Sequence, residues 1–257
     1  MRSVRRISTL RAAIAVTLKR WMWLGPGISL ILLTGTGASP DPTTECPMPS
    51  VPVILDGVRY ELGELDGIRD ELCGKDLIYT VAPETGEFHA FTTAERFNEW
   101  AARNDLPAFD NSAAEGRIGP VLERDGDIIV CAPTDSPADC ESRLDQEEAA
   151  RSDAAPLQAC PPPSSYYSRN WEHINCGGAA LSVAPKISLA DLRNVGSYNW
   201  NDRISSVQAA NGGVFYESLF EHINFQGSVF IAWAGYTYPE LGAYGWNDRA
   251  SSLKTVI

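Results

Sequence analysis

Two short polar clusters near the C-terminus hold the side chains best suited to chemistry. The sequence Asn-Asp-Arg-Ile-Ser-Ser occupies positions 201–206, and Asn-Asp-Arg-Ala-Ser-Ser occupies positions 247–252. Their carboxylate, amide and hydroxyl groups all present oxygen, the ligand atom that hard cations such as Ca²⁺ prefer. Two copies of one oxygen-rich loop therefore make this region a candidate for cation binding.

The clusters belong to a longer internal repeat. Residues 198–206 correspond to residues 244–252 at an offset of 46 positions, and Glu-His-Ile-Asn at 172–175 returns at 221–224 at an offset of 49. Two matches in the same order, with a slip of three residues, indicate that one supersecondary unit has been duplicated.

The elements that must position these loops read as short strands. From residue 164 onward, apolar runs such as 213–220 and 227–233 alternate with glycine- and asparagine-containing turns. Several short strands at regular spacing predict an all-β sandwich. Two repeats of four strands each predict two Greek-key motifs packed face to face.

The residues before position 164 differ in composition and in their predicted elements. Residues 39–50 are a Pro-rich lead-in, and 51–132 predict a small α+β unit with hairpins at Asp56-Gly57 and Asp125-Gly126 and a helix that a capping box at Thr92 begins. Residues 133–163 predict an acidic linker with a short helix over 141–151. This region shows no pattern that indicates chemistry.

The first 38 residues predict a secretory signal peptide. They hold six basic residues and no acidic residue, then an apolar run over 21–33 and small residues up to Ala38. A membrane anchor is the alternative, but Gly25-Pro26-Gly27 interrupts the run. We therefore expect a secreted, extracellular protein that has no membrane segment after cleavage.

Charge excludes two classes of partner. Residues 39–159 carry 9 basic and 26 acidic side chains, whereas the last 98 residues carry 6 and 7. An acidic chain has no electrostatic attraction to nucleic acid or to anionic lipid. The uneven distribution also predicts that 51–132 and 164–257 are separate units.

All six cysteines follow the leader, at positions 46, 73, 131, 140, 160 and 176. In an oxidising compartment they allow up to three disulfides and 15 pairings. Proximity along the chain favours Cys131–Cys140 and Cys160–Cys176, and the full pairing stays open.

At its C-terminal end the chain resembles the microbial βγ-crystallin family. The resemblance depends on an aromatic-x4-aromatic-x-Gly hairpin, complete as Phe220-x4-Phe225-x-Gly227, and on the two Asn-Asp-x-x-Ser-Ser loops. It covers about residues 164–257. In the first repeat, Cys176 replaces the second aromatic residue of the hairpin. A disulfide from Cys176 to Cys160 would compensate for the lost ring.

The resemblance implies two Ca²⁺ sites, each built from both loops. Carboxylate, amide and hydroxyl side chains and two backbone carbonyls would be the ligands: Asn201, Asp202, Arg203, Ser205, Asn247, Asp248, Arg249 and Ser251. The arginines would contribute only their carbonyls, and Glu172 and Glu221 could each add another. One carboxylate per loop implies a Kd on the order of 10⁻⁵ to 10⁻³ M. Ser206 and Ser252 would tie the folded hairpins.

Several other interpretations compete with calcium binding. The loops could only cap turns. The paired His173 and His222 point to a shared structural role, and with no nucleophile or zinc motif in the sequence we expect a non-enzymatic protein. A secreted proteinase inhibitor on a βγ-crystallin-like fold is the main alternative function, with a metalloproteinase as partner and loops at 183–196 and 234–242. A cell-surface component bound by the acidic unit is a further alternative partner.

Overall fold

A computed structural model describes residues 46–110, 118–152 and 160–257. The chain divides into two units, Met1–Pro42 and Thr43–Ile257. The first unit, which contains the predicted signal peptide, and most of the Pro-rich lead-in lie outside the described residues. Within the ranges above, no helix is long and apolar enough to cross a membrane.

The described chain is mostly β-structure. Its strands, in chain order, are β1 Val53–Leu55, β2 Val58–Tyr60, β3 Ile78–Val81, β4 Phe88–Phe91, β5 Val121–Arg124, β6 Asp127–Val130, β7 Ser168–His173, β8 Gly177–Val183, β9 Ser188–Leu189, β10 Ser206–Gln208, β11 Tyr216–His222, β12 Gln226–Trp233, β13 Thr237–Tyr238 and β14 Ser252–Val256. The helices are α1 Arg69–Cys73, α2 Ala94–Arg103 and α3 Pro137–Ser152. Short 3₁₀ turns span Leu62–Ile68, Ile174–Cys176, Leu192–Asn194, Ile223–Phe225 and Leu241–Tyr244.

The two repeats form two Greek-key motifs that exchange their third strands. Strands β7, β8 and β10 of the first repeat lie in one sheet with β13 of the second repeat. Strands β11, β12 and β14 of the second repeat lie in the other sheet with β9 of the first. Each of the two sheets therefore contains strands from both repeats, and this arrangement confirms the predicted all-β sandwich of two Greek-key motifs.

The region before the repeats extends both sheets. Strand β3 pairs in parallel with β12, and β4, β1 and β2 continue that sheet to eight strands. Strand β6 pairs in parallel with β8, and β5 makes the second sheet six strands wide. The predicted hairpins at 56–57 and 125–126 are confirmed. The sequence predicted separate units, whereas here the strands before the repeats pair with the edges of the repeat sheets. Such pairing satisfies backbone groups that an exposed edge strand leaves open.

The cores of the two regions are also continuous. The Tyr79 ring of β3 lies edge-on to Trp246 with centroids 5.8 Å apart, and the Phe88 ring lies 5.0 Å from Tyr244. A second apolar cluster lies under α2, where Phe97 stacks on Trp233 at 6.1 Å. Burial of aromatic surface is the dominant stabilising term at such contacts, so the segment before the repeats is packed as part of the same unit.

Two helix predictions need adjustment. Helix α2 begins after Thr93, whose side chain accepts a hydrogen bond from the Arg96 N–H, so the cap is Thr93 and not Thr92. The Thr92 hydroxyl instead donates to Asp56 at 2.6 Å and ties the helix to the first hairpin. Helix α3 begins four residues before the predicted 141–151 helix, and the Cys131–Cys140 disulfide joins its first turn to the chain just after β6.

Three disulfides are present: Cys46–Cys73, Cys131–Cys140 and Cys160–Cys176. The two pairings that proximity along the chain favoured are therefore confirmed. The disulfide to Cys176 joins the tip of the first folded hairpin to the start of the repeat region.

Candidate metal centre

The two polar loops face each other across the end of the sandwich. The Asp202 N–H donates to the Ala250 carbonyl at 3.0 Å, and the Asp248 N–H donates to the Ile204 carbonyl at 3.1 Å. Both aspartates have left-handed backbone angles, with φ of 53° and 54°. Asp is among the few residues that tolerate this conformation, so each position favours an Asp for its backbone as well as its charge.

The side chains of the two loops also meet in reciprocal pairs. The Ser205 hydroxyl donates to Asp248 Oδ1 at 3.1 Å, and the Ser251 hydroxyl donates to Asp202 Oδ1 at 3.3 Å. The serines are buried, whereas both aspartates are exposed. The structure therefore brings together one carboxylate and one hydroxyl from different loops at each of two places.

The remaining predicted ligands lie close to these pairs. The side-chain amides of Asn201 and Asn247 each donate to the carboxylate of the following Asp. The Ser205 hydroxyl also lies 2.8 Å from the Glu172 carbonyl oxygen, so its one hydrogen is shared between this oxygen and Asp248. A main-chain oxygen is thus present beside one pair, as the resemblance implied for Glu172.

Both arginine side chains are directed to other partners. Arg203 pairs with Glu172 and donates to the Tyr198 hydroxyl at 3.0 Å. Arg249 pairs with Glu221 at 2.8 Å and lies over the Trp246 ring. A guanidinium that is neutralised by a carboxylate repels a nearby cation less than a free one. These two ion pairs were not predicted, although the shared offset of Glu172 and Glu221 in the repeat was a signal for them.

The last serine of each loop supports the hairpin and not the polar centre. The Ser206 hydroxyl donates to the His173 carbonyl at 2.8 Å and accepts from the Cys176 N–H at 3.1 Å. The Ser252 hydroxyl donates to the His222 carbonyl at 2.6 Å and accepts from the Phe225 N–H at 3.1 Å. These contacts agree with the structural role expected for both serines.

The electrostatics of Asp202 suit a bound cation. Although the residue is exposed overall, partial desolvation of its carboxyl raises the pKa, and the neighbouring Asp248 carboxylate raises it further, while hydrogen bonds from Ser251 and Asn201 act in the opposite direction. Partial desolvation and repulsion between two carboxylates both disfavour the charged form. A cation between the loops would relieve both effects.

The paired histidines and tryptophans lie outside this centre. The exposed His173 and His222 side chains lie over the hairpin glycines: a Cβ at Gly178 would be 2.9 Å from His173 Cδ2, and one at Gly227 would be 2.8 Å from His222 Cδ2. Trp200 and Trp246 are fully buried. The position of the two histidines is consistent with the shared structural role expected for them.

Two further observations limit the chemistry available. Across residues 46–110, 118–152 and 160–257, no three His, Cys, Asp or Glu side chains cluster as a metal site. The oxygen donors of the loops are instead one carboxylate each, with amide, hydroxyl and carbonyl groups, a set that Ca²⁺ accepts and Zn²⁺ does not favour.

The segments suggested for protease binding are folded against the sheets. Residues 183–196 include β9 and the buried Ile187 and Leu192. Residues 234–242 include β13 and the buried Tyr238 and Leu241. Exposed residues in the two segments include Arg193 and Tyr236, and the inhibitor alternative stays a prediction.

Comparison with known proteins gives a limited likeness. No protein-family model matches the chain, and no curated protein matches it either. Among solved structures, a βγ-crystallin from Ciona intestinalis is 28% identical and covers 35% of this chain and 98% of its own, with a TM-score of 0.29. A βγ-crystallin from an archaeon is 21% identical over 36% of this chain and 100% of its own, with a TM-score of 0.30. A domain from Clostridium beijerinckii is 24% identical over 35% and 97%, at 0.26.

Because these TM-scores are low, the assignment of the fold depends on the strand pairing and the duplicated loops. Third strands exchanged between two Greek-key motifs, two folded hairpins with left-handed tips and two facing polar loops are all present. Residues 164–257 are therefore a βγ-crystallin-like domain.

Proposed function

We propose that this protein is a secreted, non-enzymatic protein that binds two Ca²⁺ ions between its facing loops, and that calcium stabilises the fold. The observation that carries the proposal is the pair of reciprocal contacts, Ser205 with Asp248 and Ser251 with Asp202. Each contact joins the two repeats through oxygen atoms alone.

One site would use Asp202 and Ser251, and the other Asp248, Ser205 and the Glu172 carbonyl. Asn201 and Asn247 lie against the carboxylates, and the carbonyls of Arg203 and Arg249 belong to the same turns. When bound, the cation would replace the serine hydrogen bonds with stronger ion–oxygen contacts. Since each site would draw ligands from both loops, calcium would oppose separation of the two repeats.

Export is supported by the cysteines of the described region, all of which form disulfides. Disulfides persist in oxidising compartments, where calcium is also abundant enough for a site of modest affinity. The segment that would direct export lies outside the described residues.

The experiment is a thermal melt of the purified protein in EDTA and in millimolar CaCl₂. A ligand at 100 times its Kd adds about 2.7 kcal/mol per site to the free energy of unfolding, so we expect Tm to rise by several degrees. Calorimetric titration should give two ions per chain.

The variants should change charge without straining the backbone. Asp202→Asn and Asp248→Asn keep a residue that tolerates left-handed angles, whereas alanine at either place would add strain. Each single variant should remove about half of the calcium-dependent rise in Tm, and the double variant nearly all of it. Asp66→Asn, at an 88% exposed side chain far along the chain, is the matched control. An unchanged Tm in calcium would show that the loops only cap turns.

A further inference from the structure

A separate cavity lies where the first region meets the repeats. It has a volume of about 450 Å³ and is bounded by the turn between β3 and β4, the end of α2, the residue before β11 and the end of β12. None of its lining residues belongs to the polar loops at 201–206 and 247–252. Its size is in the range that holds a small organic molecule.

Four Trp, Phe and Tyr rings contribute to the walls of the cavity, beside aliphatic and polar residues. Trp100 and Trp233 are buried and form its inner part, while Phe215 and Tyr236 are 55% and 43% exposed. Leu106, just after α2, adds an aliphatic side. Exposed rings next to a buried aromatic interior favour a ligand with a flat apolar body.

Two buried ring nitrogens in this lining lack a partner. Neither His89 Nδ1 nor Trp233 Nε1 has a hydrogen-bond partner among the described residues. Trp Nε1 can only donate, and a buried donor without an acceptor is destabilising. A ligand with an acceptor oxygen would satisfy it. Burial lowers the pKa of His89, although Glu87 opposes the shift, and this favours the neutral form of the imidazole.

The remaining charge in the lining is negative. Glu84 lies in the turn between β3 and β4, and Glu87 directly precedes β4. No Lys or Arg lines the cavity. Glu87 is paired with Arg59 at 3.0 Å, whereas the exposed Glu84 has no ion pair within the described part of the chain. A carboxylate beside aromatic faces attracts an organic cation and repels an anion.

We propose that this cavity binds a small organic cation with an aromatic body. Trp233 is 2% exposed and Glu84 is exposed, so the nitrogen donor is deep and the carboxylate is at the mouth. The acceptor oxygen of the ligand therefore faces Trp233 Nε1, its ring lies among Trp100, Phe215 and Tyr236, and its ammonium group lies at Glu84. This site is independent of the proposed calcium centre.

The test is calorimetric titration of the purified protein with three probes that share a phenol ring. Tyramine carries a cation, 4-ethylphenol is neutral and 4-hydroxyphenylacetate is an anion. We expect tyramine to bind about tenfold more tightly than the anion, a difference of about 1.4 kcal/mol in binding free energy. The affinity of the neutral probe should lie between these two.

Two variants separate the parts of the site. Glu84→Gln should weaken tyramine binding about fivefold and leave 4-ethylphenol unchanged, because only the ammonium group uses this carboxylate. Trp233→Phe keeps a ring but removes the N–H, so both probes should weaken about fivefold. Glu141→Gln, on α3 and outside the cavity, is the matched control for loss of one exposed carboxylate.

Three outcomes would overturn the proposal: no heat from any probe at millimolar concentration, equal affinity for all three probes, or unchanged tyramine affinity in Glu84→Gln. Glu84 is exposed, so that variant remains informative even if Trp233→Phe fails to fold. Titration in EDTA should give the same affinities, so failure here and failure of the calcium proposal are distinguishable.

Discussion

The two repeats have the same backbone at their hairpin tips but hold it with different side chains. Asn175 and Cys176 have φ of 56° and 59°, and the corresponding Asn224 and Phe225 have 58° and 60°. The first tip is tied by the Cys160–Cys176 disulfide. At the second tip the Phe225 ring lies 5.6 Å from Phe220 and 4.2 Å from Lys254 Nζ. A covalent tie and an aromatic contact thus serve one conformation.

What the repeats share is the chemistry of the backbone. The glycines at 178 and 227 have φ of 76° and 78°, and the serines at 206 and 252 make the same two main-chain hydrogen bonds. The asparagine, glycine and serine of each hairpin are therefore repeated, whereas Cys176 and Phe225 differ at one left-handed position. The interior differs too, since Ser168 of the first repeat corresponds to Glu217 of the second.

Glu217 gives the largest expected effect. This carboxyl is fully buried, and burial raises its pKa from 4.5 to about 8, against a hydrogen bond from Asn170 that lowers it. The folded pKa exceeds the unfolded one, so its contribution is complete below pH 4.5 and is lost as pH rises toward 8. We expect Glu217→Gln to be more stable than the parent by on the order of 4 kcal/mol at pH 8, and nearly equal at pH 4.

Urea unfolding at both pH values measures this difference. Glu141→Gln, at an exposed carboxyl, should leave the pH dependence of the free energy of unfolding unchanged. If Glu217→Gln has the same pH dependence of the free energy of unfolding as the parent, then Glu217 does not titrate with a raised pKa in the folded protein.

The disulfide at the first tip should have the next largest effect. Cys160→Ala with Cys176→Ala opens a link with a sequence separation of 16 residues, which should lower the free energy of unfolding by about 3 kcal/mol. The loss should be local as well as global. Amide exchange should become faster across 171–178 than across 220–227, because only the first tip depends on the link.

Hydrogen exchange followed by mass spectrometry measures both hairpins in one sample, so the second hairpin is the internal control. Equal acceleration in the two hairpins would mean that the disulfide stabilises the unit as a whole and does not replace the aromatic contact of the second repeat.

The hairpin serines should give the smallest effect and no difference between repeats. Ser206→Ala and Ser252→Ala each leave one carbonyl and one N–H without the hydroxyl, which should cost about 2 kcal/mol. Chemical denaturation of the two variants should agree within about 0.5 kcal/mol. A much larger loss for one serine would contradict the idea that the backbone chemistry is equivalent in both copies.

Much of the repeat region could be predicted from sequence because its signals are local. The Asn-Asp-x-x-Ser-Ser loops need particular backbone angles and hydrogen bonds, and these constrain residue type at fixed spacing. The residues at the facing loops were therefore identifiable, and so was the role of Ser206 and Ser252. The cap at Thr93 was misplaced by one residue, since two adjacent threonines offer the same hydroxyl and the Asp56 contact of Thr92 depends on the tertiary fold.

The cavity between the regions could not be predicted, because no local sequence signal marks its lining residues. Trp233 is far along the chain from His89 and Trp100, and each of the three is typical of an ordinary core position. Only packing of α2 and the turn before β4 against the end of β12 brings them together.

Sequence alone determined the duplication, the strand-rich architecture of 164–257 and the oxygen-rich loops, and it favoured two of the three disulfide pairings. Each of these is written in residue types at short or regular spacing, where local conformational preferences are strong. The tertiary structure decided how the first region joins the repeats, where the arginines of the loops find their partners, and which aromatic side chains enclose a cavity. These outcomes depend on long-range strand pairing and on burial, which no short segment specifies.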